Sequence, residues 1–131
     1  KKNYSLLFNI FSKYEEYFHL PVATEHSDPS WFAFPLTIRD GSPFKRSDIT
    51  NFYESNKIQT RTYFAGNILL QPAYKHLMDA KDVINNYPVA RKVTTDTFFL
   101  GTSPVITDEQ IEYISNKTDE FMELLKNGEQ L

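Results

Sequence analysis

The stretch from residue 31 to residue 64 most constrains the fold, because it predicts a strand, a helix and a second strand in close succession. Residues 31–39 read W-F-A-F-P-L-T-I-R, and their large apolar and β-branched side chains are typical of a strand. An amphipathic helix is predicted over residues 46–56, and residues 58–64 again favour a strand. Pro35 has no amide hydrogen to donate, so we expect the first strand to lie at a sheet edge or to carry a bulge there.

The segments on either side add helices and one more strand. Apolar residues recur with helical period over residues 3–18, and shorter patterns predict a helix over 89–95 and a strand over 97–100. Thr107 and Gln110 match a capping box, which predicts the start of a long helix. That helix is expected to bury Ile111, Ile114, Thr118, Phe121 and Leu125. Together these elements predict an α+β fold with helices packed on one face of a small, mainly antiparallel sheet of three strands.

The length and charge of the chain argue against several classes of protein. At 131 residues it has the size of one ordinary domain, and we expect residues 1–131 to form a single domain. Its net charge of -3 and its lack of a basic block argue against a nucleic-acid partner. No apolar run approaches the roughly 18 residues of a membrane-spanning helix, so we expect a soluble, cytoplasmic protein with no membrane partner.

The sequence shows no familiar grouping of catalytic or metal-binding residues. It contains no Cys, and its 3 His residues lack metal-ligand spacing. It also lacks a Gly-rich phosphate loop and a Ser-His-Asp grouping. We therefore expect no metal site and no catalytic residue in this chain.

The most unusual stretch, residues 58–74, is the candidate ligand site. Its strand runs into the turn Ala65-Gly66-Asn67, where Gly66 and Asn67 are residue types that tolerate a positive φ, so a ligand could approach the backbone closely. A cation, an aromatic ring and two carboxamides lie close together here, as in polar sites for small ligands. These side chains are Arg61, Phe64, Asn67 and Gln71. The alternative is an ordinary strand and turn whose polar groups are simply solvated.

Six short segments also occur together in an order that matches one enzyme family. They are Pro29-Ser30-Trp31-Phe32-Ala33-Phe34-Pro35, Pro43-Phe44-Lys45-Arg46, Ile58-x-Thr60-Arg61, Phe64-Ala65-Gly66-Asn67, Gln71-Pro72-Ala73-Tyr74, and Thr95-Asp96 followed by Phe98-Phe99-Leu100-Gly101. From residue 1 to about residue 125 the chain resembles the C-terminal domain of the DegT family of pyridoxal-phosphate-dependent sugar enzymes. Within that family it is most similar to the dehydratases that remove the 3-hydroxyl from nucleotide-linked 4-keto-6-deoxyhexoses.

The resemblance implies an architecture of the fold-type I aminotransferase kind, in which this chain is the small C-terminal domain. A larger α/β domain would precede it and carry the cofactor-holding residues and the catalytic base, so no cofactor-binding residue is identified in this chain. We therefore expect the chain to be inactive alone and to hold no cofactor. A first residue of Lys1 rather than Met also suggests a fragment. The surplus of aromatic residues, 11 Phe, 8 Tyr and 1 Trp, would then be surface that faces the large domain.

The resemblance also implies a chemistry and a role for the candidate residues. Pyridoxamine phosphate, the amino form of pyridoxal phosphate, would serve as electron sink while the 3-hydroxyl leaves the nucleotide-linked sugar. Arg61 would hydrogen-bond sugar hydroxyls or a charged group, Phe64 would pack over cofactor or sugar, and Gly66 and Asn67 would shape the pocket wall. The alternatives are a structural salt bridge for Arg61, a core position for Phe64 and a turn role for Asn67.

Two other functions stay open. Sugar aminotransferases of the same family typically have a histidine-bearing segment where this chain has residues 64–67, which favours the dehydratase. A free-standing protein-interaction module that uses the aromatic strand at residues 31–34 is the alternative of another class. The resemblance further implies a homodimer and a place in deoxysugar or lipopolysaccharide biosynthesis. Because this chain has no Cys, an iron-sulfur cluster of the kind found in one dehydratase branch is neither predicted nor excluded.

Overall fold

The computed structural model describes residues 1–128, which form five α-helices and one four-stranded sheet. In chain order the elements are α1 (Lys2–Phe11), β1 (Phe18–His19), β2 (Ala33–Ile38), α2 (Arg46–Ser55), β3 (Thr60–Thr62), α3 (Ala80–Asn86), α4 (Pro88–Asp96), β4 (Thr97–Gly101) and α5 (Asp108–Asn127). Short 3-10 turns occupy Ser12–Tyr14, Ile68–Leu70 and Pro72–Tyr74. No helix within residues 1–128 is long and apolar enough to cross a membrane.

The sheet is antiparallel throughout, with strand order β1-β2-β4-β3. β2 lies inside this order, but β1 pairs only with Thr37 and Ile38. Pro35 therefore has a partner strand on one side only, where it lies opposite Phe99 of β4. The strand is locally an edge at this proline, as predicted, so no second neighbouring strand requires an amide hydrogen from Pro35.

The first helix is shorter than predicted, and the sheet has four strands rather than three. The helix predicted over residues 3–18 ends at Phe11, and Phe18 instead starts β1 opposite Ile38. The connection is held by Arg39, whose backbone amide donates to the carbonyl of Tyr17 at 2.8 Å. The prediction was wrong because the apolar positions near residue 18 continue the helical period, whereas their real partners lie about twenty positions away in the chain.

One face of the sheet forms the hydrophobic core with α1, α2 and α5. Alternate residues of β2 and β4 point to this face because side chains alternate along a strand. The fully or almost fully buried strand residues are Phe34, Leu36, Ile38, Phe98 and Leu100. They belong to one buried cluster with Leu7 and Phe11 of α1, Ile49 and Tyr53 of α2 and Phe121 of α5. This arrangement confirms the predicted α+β fold with helices packed on one face of a small antiparallel sheet.

The last helix begins where the sequence predicts. The Thr107 hydroxyl accepts a hydrogen bond from the Gln110 amide at 3.3 Å, and the Gln110 side chain accepts one from the Thr107 amide at 3.0 Å. Four of the five predicted core positions are buried, while Leu125 is half-buried and Met122 is buried in addition. Gly128, with φ +68°, ends the helix in the left-handed conformation that favours glycine. The capping box therefore sets the position of α5 against the core.

Candidate functional site

Arg61 lies in the middle of β3, on the face of the sheet that points away from the core helices. Its register partner on β4 is Phe99, whose neighbours Phe98 and Leu100 point into the core. Residues opposite each other in an antiparallel pair share a face, so Arg61 and Phe99 both belong to the other side. We call this side, bounded by Arg61, Phe99, Phe64 and Phe32, the open face.

The guanidinium of Arg61 is exposed and makes no hydrogen bond or ion pair with any residue from 1 to 128. Arg61 also lines an open cleft of about 680 Å³, between β3, the first turn of α2 and the end of α4. Its nearest electrostatic effect is on Glu54, whose pKa is held below its ordinary value. The main cause is that Glu54 accepts hydrogen bonds from the amide and hydroxyl of Thr60, and the charge of Arg61 adds to them. Arg61 is therefore a cation available to a ligand and not part of a structural salt bridge.

Phe64 is exposed on the open face and has an unusual backbone conformation. Its φ is +50°, a region that bulky side chains rarely occupy, and its amide donates to the carbonyl of Thr62 at 2.8 Å. The ring is 69% exposed, with its centroid 6.2 Å from that of Phe32 and 6.1 Å from that of Phe99. Phe64 is thus not a core residue, and the chain holds its ring on the surface.

Gly66 and Asn67 lie behind Phe64 and are packed against Thr94 of α4. A Cβ at Gly66, whose φ is +60°, would lie 2.4 Å from the Thr94 hydroxyl oxygen, which leaves no room for any side chain. The same hydroxyl accepts a hydrogen bond from the Asn67 amide at 2.6 Å and donates one to the Ala90 carbonyl at 2.7 Å. The close approach expected at Gly66 is therefore made by Thr94 of the chain itself.

Asn67 differs from the expectation of a positive φ, since its φ is -81°. Its buried side chain instead accepts a hydrogen bond from the Leu69 amide at 3.1 Å and caps the 3-10 turn Ile68–Leu70. Gln71, the second carboxamide of the predicted cluster, donates to the Ala65 carbonyl at 2.7 Å. Both carboxamides thus hydrogen-bond within the loop. Neither Asn67 nor Gln71 has a left-handed backbone conformation, whereas Phe64 does.

The structure therefore divides the predicted site residues into two pairs. Arg61 and Phe64 point outward on the open face, while Gly66 and Asn67 fasten the loop that carries Phe64 to α4. Sequence reasoning did not identify Phe99 or Thr94 as part of this arrangement. Phe99 could have been found from the alternation along β4, but Thr94 lies 27 positions from Asn67 and no local pattern connects them. Within residues 1–128, no three His, Asp or Glu side chains could hold a metal ion together.

Comparisons with known proteins agree with this architecture. The model of the DegT/DnrJ/EryC1/StrS aminotransferase family matches residues 1–119. The chain is 36% identical to the lipopolysaccharide biosynthesis protein RfbH of Salmonella typhimurium, with 95% of this chain and 28% of that protein covered. It is 43% identical to a dTDP-4-dehydro-2,6-dideoxy-D-glucose 3-dehydratase of Saccharopolyspora spinosa, over 79% of this chain and 22% of that protein. The chain thus spans less than a third of the length of these relatives.

A solved structure extends the comparison to the fold. The structure of E. coli GDP-4-keto-6-deoxy-D-mannose-3-dehydratase with bound hydrated PLP superimposes with a TM-score of 0.68 at 22% identity, covering 88% of this chain and 29% of that one. The fold is that of the C-terminal portion of fold-type I aminotransferase-like structures. Since the family model covers all but the last 12 of the 131 residues, the chain belongs to the DegT/DnrJ/EryC1/StrS aminotransferase family.

Proposed function

We propose that this chain is the substrate-covering C-terminal domain of a nucleotide-sugar 3-dehydratase that uses pyridoxal or pyridoxamine phosphate and acts on a 4-keto-6-deoxyhexose. The observation that carries the proposal is the open face, where an Arg61 without a partner among residues 1–128 and an exposed Phe64 lie on the side of the sheet away from the core helices. The 43% identity to a sugar 3-dehydratase supports this choice within the family.

On this proposal the open face is one wall of an active site. The guanidinium of Arg61 donates to sugar hydroxyls or to a charged group of the substrate, since its fork suits two acceptors. The ring of Phe64 covers the substrate and excludes water, while Gly66 and Asn67 hold the loop through Thr94. The cofactor, when bound, supplies the electron sink for loss of the 3-hydroxyl. Arg61 and Phe64 fit such a covering role because both point outward from one surface, and the residues that hold the cofactor belong to another domain.

The remaining parts of the protein are also proposals. Because the relatives are more than three times as long as the matched region, we propose a larger cofactor-binding domain and a homodimer in the cytoplasm, serving deoxysugar or lipopolysaccharide biosynthesis. The same domain of a sugar aminotransferase is the second candidate, and the family description itself favours it. A protein-interaction module is the third, and the exposed aromatic rings of the open face favour it.

The test uses the full-length protein that contains this chain, incubated with pyridoxamine phosphate and a nucleotide-linked 4-keto-6-deoxyhexose. Mass spectrometry should show a sugar with one oxygen atom fewer, because the 3-hydroxyl is replaced by hydrogen while pyridoxamine phosphate is converted to pyridoxal phosphate and ammonia. Gain of an amino group in place of the keto oxygen would indicate the aminotransferase. We expect Arg61→Gln to lower kcat/KM about 10- to 100-fold, the range for a lost hydrogen bond to a charged group. Lys13→Gln, which removes an exposed cation from the 3-10 turn after α1, is the matched control and should leave kcat/KM unchanged. A full-length protein that binds neither form of the cofactor would contradict the proposal.

A further inference from the structure

Phe32 and Phe64 are the two most exposed aromatic side chains within residues 1–128, at 76% and 69%. Both lie on the open face, where their ring planes are 26° from parallel and their centroids are 6.2 Å apart. Phe99 lies beneath them, with its centroid 6.0 Å from that of Phe32 and 6.1 Å from that of Phe64. Two nearly parallel phenyl rings therefore contact Phe99 and are exposed to whatever covers this face.

The two rings border a shallow apolar hollow of about 290 Å³. Trp31, Ala33, Pro35 and Tyr63 complete its lining. Ligand sites are typically concave, mostly apolar and equipped with a few polar groups that fix the ligand's orientation. The hollow has this apolar character, and its size suits one planar ring system rather than a whole substrate.

The backbone at Phe64 provides a second and independent observation. A φ of +50° is unfavourable for phenylalanine, and the conformation persists because the Thr94 contacts with Gly66 and Asn67 fasten the loop. Strain of this kind concentrates at binding and active sites. Here its effect is to keep a large apolar ring on the surface, a position that contributes little to the core.

Charge complementarity identifies the class of ligand. Arg61 shares the open face with Phe99 through the register of β3 and β4, and it lines the separate cleft of about 680 Å³ rather than the aromatic hollow. A cation that has no partner within the described residues is therefore present on the same face of the sheet. A planar aromatic group joined to a diphosphate matches this pair of features, since bases stack on aromatic side chains and arginine pairs with phosphates. A hexose alone carries neither a π-face nor a charge.

We propose that Phe32 and Phe64 form a stacking platform for the base of the nucleotide-linked substrate, with Arg61, on the same face of the sheet, available for the diphosphate. This inference rests on the proposed function, and it specifies which part of the substrate the open face contacts. A stacking platform of this kind should bind purine and pyrimidine nucleotides with similar affinity, because every base can stack on an aromatic ring. Apolar surface of the protein's own larger domain is the competing occupant of the platform, and it makes a different prediction in the following test.

The experiment measures, by calorimetry on the full-length protein, the affinity of one purine and one pyrimidine nucleoside diphosphate, GDP and dTDP, and of inorganic pyrophosphate. Phe64→Ala and Phe32→Ala should each weaken nucleoside diphosphate binding about 5- to 150-fold, the range for one lost base-stacking contact. The affinity for pyrophosphate should not change in either variant. Phe64→Trp, which keeps an aromatic face, should restore nucleoside diphosphate binding. Tyr113→Ala, which removes an exposed aromatic ring from α5, is the matched control and should have no effect.

Each other outcome contradicts the inference. Full-length protein that binds neither nucleoside diphosphate, or binds both equally well in wild type and in Phe64→Ala, lacks the platform. A large fall in the thermal midpoint of Phe64→Ala with unchanged nucleotide affinity would assign the two rings to the interface with the larger domain. Because no turnover is measured, the two proposals can fail separately. A protein that stacks nucleotides but removes no hydroxyl contradicts only the proposed dehydratase, and an active dehydratase indifferent to Phe64→Ala contradicts only the platform.

Discussion

Phe64 has a backbone conformation, with φ +50°, that phenylalanine rarely adopts. The turn after β3 needs positive φ at two positions, and the chain places glycine at only one of them, Gly66. At Phe64 the left-handed conformation costs roughly 1–2 kcal/mol relative to an ordinary one. Burial of the Phe64 ring offsets little of this conformational cost, since most of the side chain stays exposed to water. The residue is therefore expected to weaken the fold while serving the open face.

Two substitutions at Phe64 separate backbone strain from loss of the ring. Phe64→Gly and Phe64→Ala both remove the ring, but only glycine adopts φ +50° without steric cost. After allowing for the greater freedom of glycine in the unfolded chain, we expect Phe64→Gly to be more stable than Phe64→Ala by about 0.5–1 kcal/mol. Chemical denaturation of a polypeptide of residues 1–131 measures the difference, and equal stabilities would show that position 64 is unstrained.

At the scale of elements, α2 and α5 are joined by a buried hydrogen bond. The hydroxyl oxygens of Tyr53 and Thr118 are 2.7 Å apart, and both side chains are fully buried. Thr118 uses its only hydroxyl proton to donate to the Ile114 carbonyl at 2.7 Å, so Tyr53 must be the donor between the two. Burial also raises the pKa of Tyr53, which keeps the phenol protonated and able to donate.

This assignment of donor and acceptor predicts unequal effects of two conservative changes. Thr118→Val leaves the buried Tyr53 hydroxyl without an acceptor and should cost about 1–3 kcal/mol, whereas Tyr53→Phe leaves Thr118 bonded to Ile114 and should cost about 1 kcal/mol. The double variant should be more stable than the sum of the two costs suggests, because no unsatisfied hydroxyl remains. Denaturant titrations of all four proteins give the coupling energy, and strict additivity would contradict the assignment.

The elements that could be predicted from the sequence are those specified by local rules. The capping box at Thr107 and the apolar face of α2 lie where expected, because caps and helical periodicity depend on neighbours within one or two turns. β1 could not be predicted in this way. Its two residues, Phe18 and His19, become a strand only through pairing with Ile38 and Thr37, and nothing near residue 18 specifies that pairing.

At the scale of the whole molecule, the candidate site could be predicted in composition but not in arrangement. The sequence identified Arg61 and Phe64, and their outward direction follows only from the register between β3 and β4. Gly66 and Asn67 hold the loop in place through their contacts with Thr94. Thr94 contacts the loop because α4 packs beside it. Side-chain direction and long-range packing both depend on how elements meet, so a single sequence read locally does not supply them.

The open face makes a further prediction about residues 1–131 expressed as a separate polypeptide. The buried cluster on the other face unites α1, α2, α5 and the sheet, so we expect this polypeptide to fold. Phe32, Phe64 and Phe99 would then present apolar rings to water, and such patches promote association. Sedimentation should show self-association that increases with concentration, and Phe32→Ser with Phe64→Ser should shift the population toward monomer. Tyr74→Ser with Tyr113→Ser removes two exposed aromatic rings from other surfaces and should leave the association unchanged. Two results would show that the polypeptide does not self-associate through the open face. The wild-type polypeptide could stay monomeric at every concentration, or the two tyrosine substitutions could shift the population toward monomer as much as the two phenylalanine substitutions.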